Sequence, residues 1–262
     1  MAEAEIGIFG GSGFYELLDE VEEVALETPF GAPSAPPVVG EVGGKRVAFL
    51  PRHGRRHEYP PGQINYRANV WAFKELGVRR ILGPRASGAL RADLRLGDFV
   101  VCDQFVDRTS GRADTFYQGP DTTHVSAADP YCADLRRVLV ETAGDVGIPV
   151  RDGGTVVVIQ GPRFSTRAES RWFQEMSWDV INMTAYPECH LARELELCYA
   201  TVAMVTDYDT GVQGSEPVTA DRVVEVFREN NARRRELLLA AVPGIGPQPN
   251  DACATALQGA RL

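Results

Sequence analysis

The segment PRHGRRHEYPPG, residues 51–62, follows an apolar run and concentrates basic side chains. Within six residues it carries Arg52, His53, Arg55, Arg56 and His57. A guanidinium offers a fork of N–H donors that matches phosphate, so an oxyanion site is indicated, although a solvated basic loop would have the same composition. His53 and His57 are four apart, but the arginines around them repel a cation and the prolines oppose a helix, so we predict no metal here.

Two acids end the apolar run AMVTDYDTG, residues 203–211. If the chain is still extended there, Asp207 and Asp209 project to the same side, as alternate residues do in a strand. Two neighbouring carboxyl groups can divide proton donation and hydrogen-bond acceptance between them. Acids at a strand end also cap turns and helices, and that interpretation remains open.

Three further segments place small or polar residues after apolar runs. In GGSGFYE, residues 10–16, Ser12 and the glycine N–H groups could hold an anion. Glu16 stands where a dinucleotide-binding loop needs glycine, and a plain tight turn is the alternative. GPRASGALR, residues 83–91, contains Arg85 and Ala86, and its small residues either admit a ligand or relieve crowding. VINMTAYPE, residues 180–188, delivers Met183 and Thr184 to a strand end.

The segment VVIQGPRFSTRAES, residues 157–170, predicts a strand, a turn and a helix. Thr166 and Glu169 have the spacing of a capping box, which fixes the helix start. Phe164 precedes that cap and could stack on a flat base, or it could pack between helix and sheet. Strand ends in an open α/β sheet converge on one crevice, so the combined segments predict a site for an anion together with a purine.

Short β-branched runs alternate with helical patterns, which predicts an α/β fold with a twisted mixed, largely parallel central sheet flanked by helices. We expect one domain over residues 1–244 and a poorly ordered tail over residues 245–262. The predicted strands cover residues 5–9, 21–28, 37–40, 46–50, 80–83, 98–103, 155–159, 179–183 and 199–206. The predicted helices cover residues 65–76, 130–146, 166–176, 187–195 and 220–241.

The composition limits the partners. A net charge of −9 opposes binding to nucleic acid or to an anionic membrane. No apolar stretch approaches the roughly 18 residues of a membrane helix, and the acidic start is unlike a signal peptide. Five cysteines without a C-x-x-C pair are typical of buried thiols in a reducing compartment, so we expect a cytoplasmic protein.

The chain resembles the 5'-methylthioadenosine phosphorylase and purine nucleoside phosphorylase family, in its trimeric branch. Besides the segments above, INYRANVWAFKELG and GDFVVCDQFVDRTSGR carry the resemblance, in order, across residues 5–245. It implies phosphorolysis of a purine nucleoside, with phosphate as co-substrate, no other cofactor, and a homotrimer or a dimer of trimers.

The resemblance also implies residue roles. Phosphate would be held by Ser12, Arg52, His53 and Thr184, and by the backbone near Ala86. Met183 would lie against the ribose, Phe164 against the base, and Asp207 and Asp209 at the N6/N7 edge of the purine. Asp207 is the implied proton donor to N7, and Asp209 its partner at the amino group.

Two positions bear on the substrate that the resemblance implies. A carboxylate at Asp207 accepts from a 6-amino group, whereas 6-oxopurine enzymes of the family have Asn there. Val223 replaces a His that would contact a 5'-hydroxyl, which favours 5'-methylthio or 5'-deoxy groups. His124 resembles a residue that a neighbouring subunit contributes to the 5' pocket.

Arg85 departs from the family pattern, in which a Thr contacts phosphate. A second arginine could tighten the phosphate site, turn outward to solvent, or accommodate another anion. The substrate that the resemblance implies is 5'-methylthioadenosine, and the alternatives are 6-oxopurine nucleosides and other 5'-deoxy-5'-substituted adenosines. A nucleoside-binding or sensing protein is the alternative outside catalysis, and a nucleosidase is disfavoured by Arg52 and His53.

Overall fold

The computed structural model describes residues 3–11, 14, 17, 18, 20–120, 122–210, 212, 218–247 and 252–261. Ser12 therefore lies outside the described residues. The strands are β1 (Ile6–Gly10), β2 (Glu22–Glu23), β3 (Val38–Val42), β4 (Lys45–Pro51), β5 (Arg80–Ala89), β6 (Phe99–Val101), β7 (Gln104–Arg108), β8 (Val150–Asp152), β9 (Thr155–Ile159), β10 (Val180–Asn182) and β11 (Cys198–Tyr208). The helices are α1 (Tyr66–Glu75), α2 (Ala133–Asp145), α3 (Arg167–Glu175), α4 (Ala185–Glu194) and α5 (Ala220–Gly244).

All described strands join one sheet, which branches at β5. One path runs β2-β3-β4-β1-β5-β10-β9-β7, and a second continues from β5 through β11 and β6 to β8. Neighbouring strands are parallel in β4–β1–β5–β11, β10–β9–β7 and β6–β8, and antiparallel in the remaining pairs. The predicted α/β domain with a mixed, largely parallel sheet is confirmed.

Helices cover both faces of the sheet, which explains why its central strands are apolar on both sides. Along β11, Tyr199 and Ala203 join a core cluster that includes residues of α1 and α4. The intervening Ala200 and Val202 join a second cluster with residues of α2 and α5. Alternate side chains of one strand thus serve two hydrophobic cores, and the strand ends lie between two helical layers.

Several predicted boundaries were wrong. The strand expected over residues 21–28 is reduced to Glu22–Glu23, an exposed edge pair, because only β3 lies beside it. Strands β7 and β8 were missed because Gln104–Arg108 and Val150–Asp152 are short and polar. Strand β5 continues to Ala89 instead of stopping near residue 83, because β10 and β11 pair with its second half.

The described part of the C-terminal segment packs against the chain. Ile245 and Cys253 are buried in the α2 and α5 core cluster. The Ala260 carbonyl accepts from the backbone N–H of His124 at 2.8 Å, and Arg261 forms an isolated bridge with Thr123. The sequence analysis expected poor order over residues 245–262 and did not predict these contacts. The division of the chain at residue 244 stays a prediction.

No helix among the described residues combines the length and the apolar character needed to span a bilayer.

Candidate active site

A cavity of about 480 Å³ is lined by residues of β5, β10 and β11 and by residues that directly follow β4. Ten of the predicted site residues line it: Arg52, His53, Arg85, Ala86, Phe164, Met183, Thr184, Asp207, Asp209 and Val223. His124 does not line the cavity of this chain and is exposed. The segments that sequence alone placed at one crevice do converge there.

Arg52 follows β4 and is buried at the basic end of the cavity. Its Nε and Nη2 donate to the two carboxylate oxygens of Glu188 at 2.8 and 2.9 Å, and its Nη1 donates to the carbonyl of Pro84 at 3.0 Å. A Cβ on Gly11 would lie 2.8 Å from Nη1, so this glycine leaves room for the guanidinium. The two-pronged pairing with Glu188 fixes the plane of the Arg52 fork.

Arg85 lies on β5 and is as buried as Arg52, which excludes the outward orientation. Its Nη2 donates to Glu188 at 2.8 Å and to the hydroxyl of Tyr199. The Tyr199 hydroxyl donates in turn to Glu188 at 2.6 Å. Two guanidinium groups therefore share one carboxylate, which leaves one excess positive charge at this end of the cavity.

The second arm of Arg85 reaches Thr184. Nη1 donates to the Thr184 hydroxyl oxygen at 3.2 Å. Thr184 is the N-cap of α4, but its side chain makes no capping hydrogen bond. Because the hydroxyl oxygen already accepts from Arg85, the hydroxyl proton is directed away from the guanidinium. Thr184 lines the cavity, so this proton is available to an anion there.

Glu188 stays charged in this environment. Burial alone would raise its pKa, but Arg52, Arg85 and Tyr199 together hold the pKa below the usual range. An ionised, fully buried carboxylate between two guanidinium groups is satisfied by direct hydrogen bonds. The basic end is consequently a fixed array and does not need to reorganise when an anion enters.

His53 is neutral, because burial lowers its pKa to about 3. Its Nδ1 lies 2.9 Å from the carbonyl oxygen of Tyr59. A carbonyl only accepts hydrogen bonds, so Nδ1 carries the proton and Nε2 presents a lone pair. His57 stacks on His53 with ring centroids 4.2 Å apart, and also lines the cavity.

Asp207 owes its position to an irregularity in β11. Val205 pairs with Ser87 and Asp207 with Gly88, so Thr206 is an extra residue on the β11 side. The Thr206 hydroxyl donates to the Asp207 carboxylate at 2.8 Å. A Cβ on Gly88 would lie 2.7 Å from Asp207 Oδ1, so the carboxyl group rests against bare backbone. Bulges re-aim side chains near functional sites, and this one turns Asp207 into the cavity.

Burial raises the pKa of Asp207 to about 6, with the nearby Asp209 adding to the rise. Asp209 is also buried, and desolvation raises its pKa while Ser170 and Ser165 oppose the rise. The backbone N–H of Asp209 donates to Ala89 at the end of β5. A carboxyl group with a pKa near neutrality can donate a proton at physiological pH.

The remaining lining is apolar and lies between these polar ends. Phe164 is 37% exposed and precedes the capping box of Thr166 and Glu169, which the structure confirms. Val223 and Val224 extend from the first turn of α5, and Met183 follows β10. Flat and aliphatic surfaces of this kind suit a base and an uncharged ribose substituent.

Sequence reasoning missed the residues that organise the basic end, Glu188 and Tyr199. Glu188 stood within the quoted NMTAYPE motif, and an acid inside an apolar helix pattern is the signal that could have drawn attention to it. Tyr199 gave no signal, since it sits in an apolar strand.

A sheet-end cavity that joins a fixed anion-binding array to a protonatable carboxyl group belongs to an enzyme that transfers a group from a base to an anion. The chain belongs to the Phosphorylase superfamily, whose family model matches residues 5–243. The resemblance found in the motifs is thereby confirmed.

Similar proteins agree with this assignment. The S-methyl-5'-thioadenosine phosphorylase of Pyrococcus abyssi is 50% identical, covering 97% of this chain and 98% of the relative. The purine nucleoside phosphorylase of Streptomyces coelicolor is also 50% identical, covering 98% and 95%. A solved methylthioadenosine phosphorylase from Schistosoma mansoni, in complex with adenine, is 41% identical with a TM-score of 0.92, covering 99% of both chains.

Proposed function

We propose that this chain is a pentosyltransferase that cleaves 5'-methylthioadenosine with inorganic phosphate, giving adenine and 5-methylthioribose 1-phosphate. Relatives about half identical over nearly their whole length are S-methyl-5'-thioadenosine phosphorylases, and solved relatives hold adenine or methylthioadenosine. The observation that carries the proposal is one cavity containing both the Arg52–Glu188–Arg85 array and the raised-pKa carboxyl of Asp207.

Phosphate occupies the basic end in this proposal. Arg52 and the Thr184 hydroxyl donate to its oxygens, together with Ser12 and the backbone at Ala86. The phosphate dianion carries one proton, and the lone pair on His53 Nε2 accepts a hydrogen bond from that P–OH group. An unprotonated oxygen then faces the anomeric carbon. The excess positive charge of the array offsets the cost of removing the dianion from water.

Arg85 acts mainly behind this anion. It orients Thr184 by donating to the hydroxyl oxygen of that residue. It also shares the Glu188 carboxylate with Arg52, so the positive charge of Arg52 is only partly neutralised and can attract the anion. The family's threonine would contact phosphate directly. Arg85 instead supplies charge and hydroxyl orientation, so phosphate remains the co-substrate that best fits the site.

The purine occupies the carboxylate end. As the C1'–N9 bond breaks, its electron pair passes to the purine, and Asp207 in its protonated form donates to N7. The second oxygen of Asp207 and the carboxylate of Asp209 accept from the 6-amino group, and Phe164 stacks on the ring. The phosphate oxygen forms the new bond to C1', where oxocarbenium character is stabilised by the adjacent dianion.

Met183 contacts the ribose, and Val223 faces the 5' substituent in this proposal. His124 completes the 5' pocket of a neighbouring subunit, which makes the active form an oligomer, a homotrimer or a dimer of trimers. No cofactor is needed, because the bond exchange is neither oxidative nor dependent on a carbonyl group. We place the enzyme in the cytoplasm, where its cysteines remain reduced.

Phosphorolysis of ordinary purine nucleosides is the second candidate. The Streptomyces coelicolor relative is named a purine nucleoside phosphorylase, and its identity to this chain equals that of the Pyrococcus abyssi enzyme. Asp207 and Val223 favour 6-amino, 5'-apolar substrates, so the two candidates differ in substrate and share the chemistry.

A base-release assay distinguishes them. Methylthioadenosine, adenosine and inosine are each supplied with and without phosphate, and the products are separated by chromatography. We expect phosphate-dependent release that is fastest with methylthioadenosine. Release without phosphate would contradict phosphorolysis, and faster release from inosine would favour the second candidate.

The variant Asp207→Asn tests the base-recognition step in the same assay. An amide cannot supply the proton and presents a donor to position 6, so kcat/KM for methylthioadenosine should fall by about 100-fold, a typical loss for a general acid. The ratio of inosine to adenosine turnover should rise. An unchanged ratio would exclude Asp207 from base selection. Glu27→Gln, an exposed substitution, is the matched control.

A further inference from the structure

Three of the five cysteines lie far apart in the sequence but close together in the folded chain. Cys132 is the N-cap of α2, Cys198 begins β11, and Cys253 lies in the C-terminal segment. Their sulfur atoms all lie within 4.8 Å of one another, and all three residues are buried. None of the five cysteines is in a disulfide. Cys102 and Cys189 are buried elsewhere, outside this group.

The surroundings favour negative charge on one sulfur. Hydrogen bonds from Cys198 and Cys253 lower the pKa of the Cys132 thiol, and the backbone at the start of α2 and the Arg80 guanidinium lower it further. The same contacts raise the pKa of Cys198. Three buried sulfur atoms within 4.8 Å of one another can coordinate one small ion together.

The ligand set selects among metal ions. Thiolates are soft ligands that suit copper(I), zinc and iron–sulfur clusters. A structural zinc site needs four protein ligands, but within the part of the chain that the structure describes no imidazole or carboxylate joins these three sulfurs. Copper(I) is satisfied by two or three sulfur ligands. Exchange of one thiol proton for one Cu⁺ also leaves the total charge of the buried group unchanged.

We propose that Cys132, Cys198 and Cys253 form a binding site for one copper(I) ion, which ties the C-terminal segment to the sheet. Binding releases a proton from a thiol to solvent and forms Cu–S bonds without any change of oxidation state. Cys253 belongs to the same segment as Ala260, which accepts from the backbone of His124. The ion would thus hold in place a segment that contacts the proposed subunit-completing loop. The site is separate from the phosphate cavity.

The test uses fully reduced protein under anaerobic conditions. Copper(I) is supplied as its acetonitrile complex and titrated against the colorimetric chelator bathocuproine disulfonate. We expect one ion per chain, bound at least 100-fold more tightly by the parent than by Cys253→Ala. Cys102→Ala and Cys189→Ala are the matched controls and should bind as the parent does. Circular dichroism confirms that each variant is folded.

Hydrogen exchange gives a second readout that does not depend on the variants. Copper(I) should slow amide exchange in residues 252–261 and leave the exchange of α3 unchanged. Binding that is equally tight in Cys253→Ala, or absent in the parent, would overturn the proposal. So would a thiol count of three in protein denatured after anaerobic purification, because two of the sulfurs would then form a disulfide.

Discussion

Burial of the Asp207 carboxyl group makes the stability of the folded protein depend on pH. Its pKa is raised to about 6, so the folded state binds the proton more tightly than the unfolded state, where an aspartate has its ordinary pKa. The stabilisation is fully present below pH 4 and is lost as the pH rises through 6. The whole shift corresponds to roughly 3 kcal/mol, of which roughly 2 kcal/mol is lost between pH 4 and pH 6.

Asp207→Asn should remove this pH dependence, because an amide stays neutral. We expect the free energy of unfolding of the variant, relative to the parent, to rise by roughly 2 kcal/mol between pH 4 and pH 7. Urea unfolding of the ligand-free protein at several pH values measures it. A constant difference across that range would mean that Asp207 ionises normally in the folded state.

His53 should discriminate phosphate from sulfate. Sulfate has no proton at neutral pH, so the lone pair of His53 Nε2 would face an anionic oxygen. His53→Gln places an N–H donor where the lone pair was, and this donor can bind sulfate. The ratio of the sulfate inhibition constant to the phosphate KM should therefore fall about tenfold, which is the effect of one such hydrogen bond. His57→Gln, at the stacked ring, is the control. The same ratio in parent and His53→Gln would argue against the tautomer.

Arg85 should affect phosphate binding more than the chemical step, because it acts through Thr184 and Glu188. Arg85→Met should raise the phosphate KM by about 10-fold or more, as the loss of a charge-assisted hydrogen bond does, with kcat at saturating phosphate nearly unchanged. Combining it with Thr184→Val should add less than the sum of the two effects. Arg163→Met, at an exposed arginine paired with Glu169, is the control. Fully additive effects would exclude the relay through Thr184.

At the scale of elements, the start of α3 sets the position of the base-facing aromatic. Thr166 accepts from the backbone of Glu169, and Glu169 accepts from the backbone of Thr166. Phe164 lies two residues before this cap, so its backbone direction depends on where the helix begins.

Thr166→Ala should cost about 1 kcal/mol of stability, as loss of an N-cap does, and should raise the nucleoside KM without changing the phosphate KM. Steady-state kinetics with each substrate varied in turn provides the comparison. Arg171→Ala, an exposed change on the same helix, should leave both constants unaltered. Equal rises in the two KM values would point to a general loosening of the site.

The elements also mark the limit of sequence-based inference. Apolar runs predicted β1, β4, β9 and β11, because strands buried on both faces consist of continuous apolar residues. The bulge at Thr206 left no mark in the sequence, since any residue can occupy a register shift that the partner strand imposes. The converging strand ends were predictable, whereas the Arg85–Glu188–Tyr199 hydrogen bonds depend on contacts between residues up to 114 positions apart.

At the scale of the whole molecule, we propose that neighbouring subunits share each site. His124 is exposed and absent from the cavity of its own chain, and the described tail fixes its backbone through Ala260. A ring of subunits in which each completes the next is a heterologous, closed arrangement.

Two inactive variants should therefore restore each other. Asp207→Ala damages the site of its own chain, while His124→Ala damages that of a neighbour. Mixed oligomers contain sites with both residues intact, so activity should reappear when the two are co-refolded. Mass spectrometry verifies that mixed oligomers have formed. If such oligomers stay inactive, or if His124→Ala is active alone, His124 does not complete a neighbouring site.

Gly83 leaves the space that Tyr199 and Arg85 occupy at the basic end of the cavity. A Cβ at this position would lie 1.8 Å from the Tyr199 hydroxyl and 2.8 Å from Arg85 Nη2, a collision that rigid backbone cannot relieve. A larger residue at position 83 requires a change at Tyr199, because the contact with its hydroxyl is the closer of the two. A side chain at position 83 would therefore displace Tyr199 or Arg85 from their hydrogen bonds with Glu188.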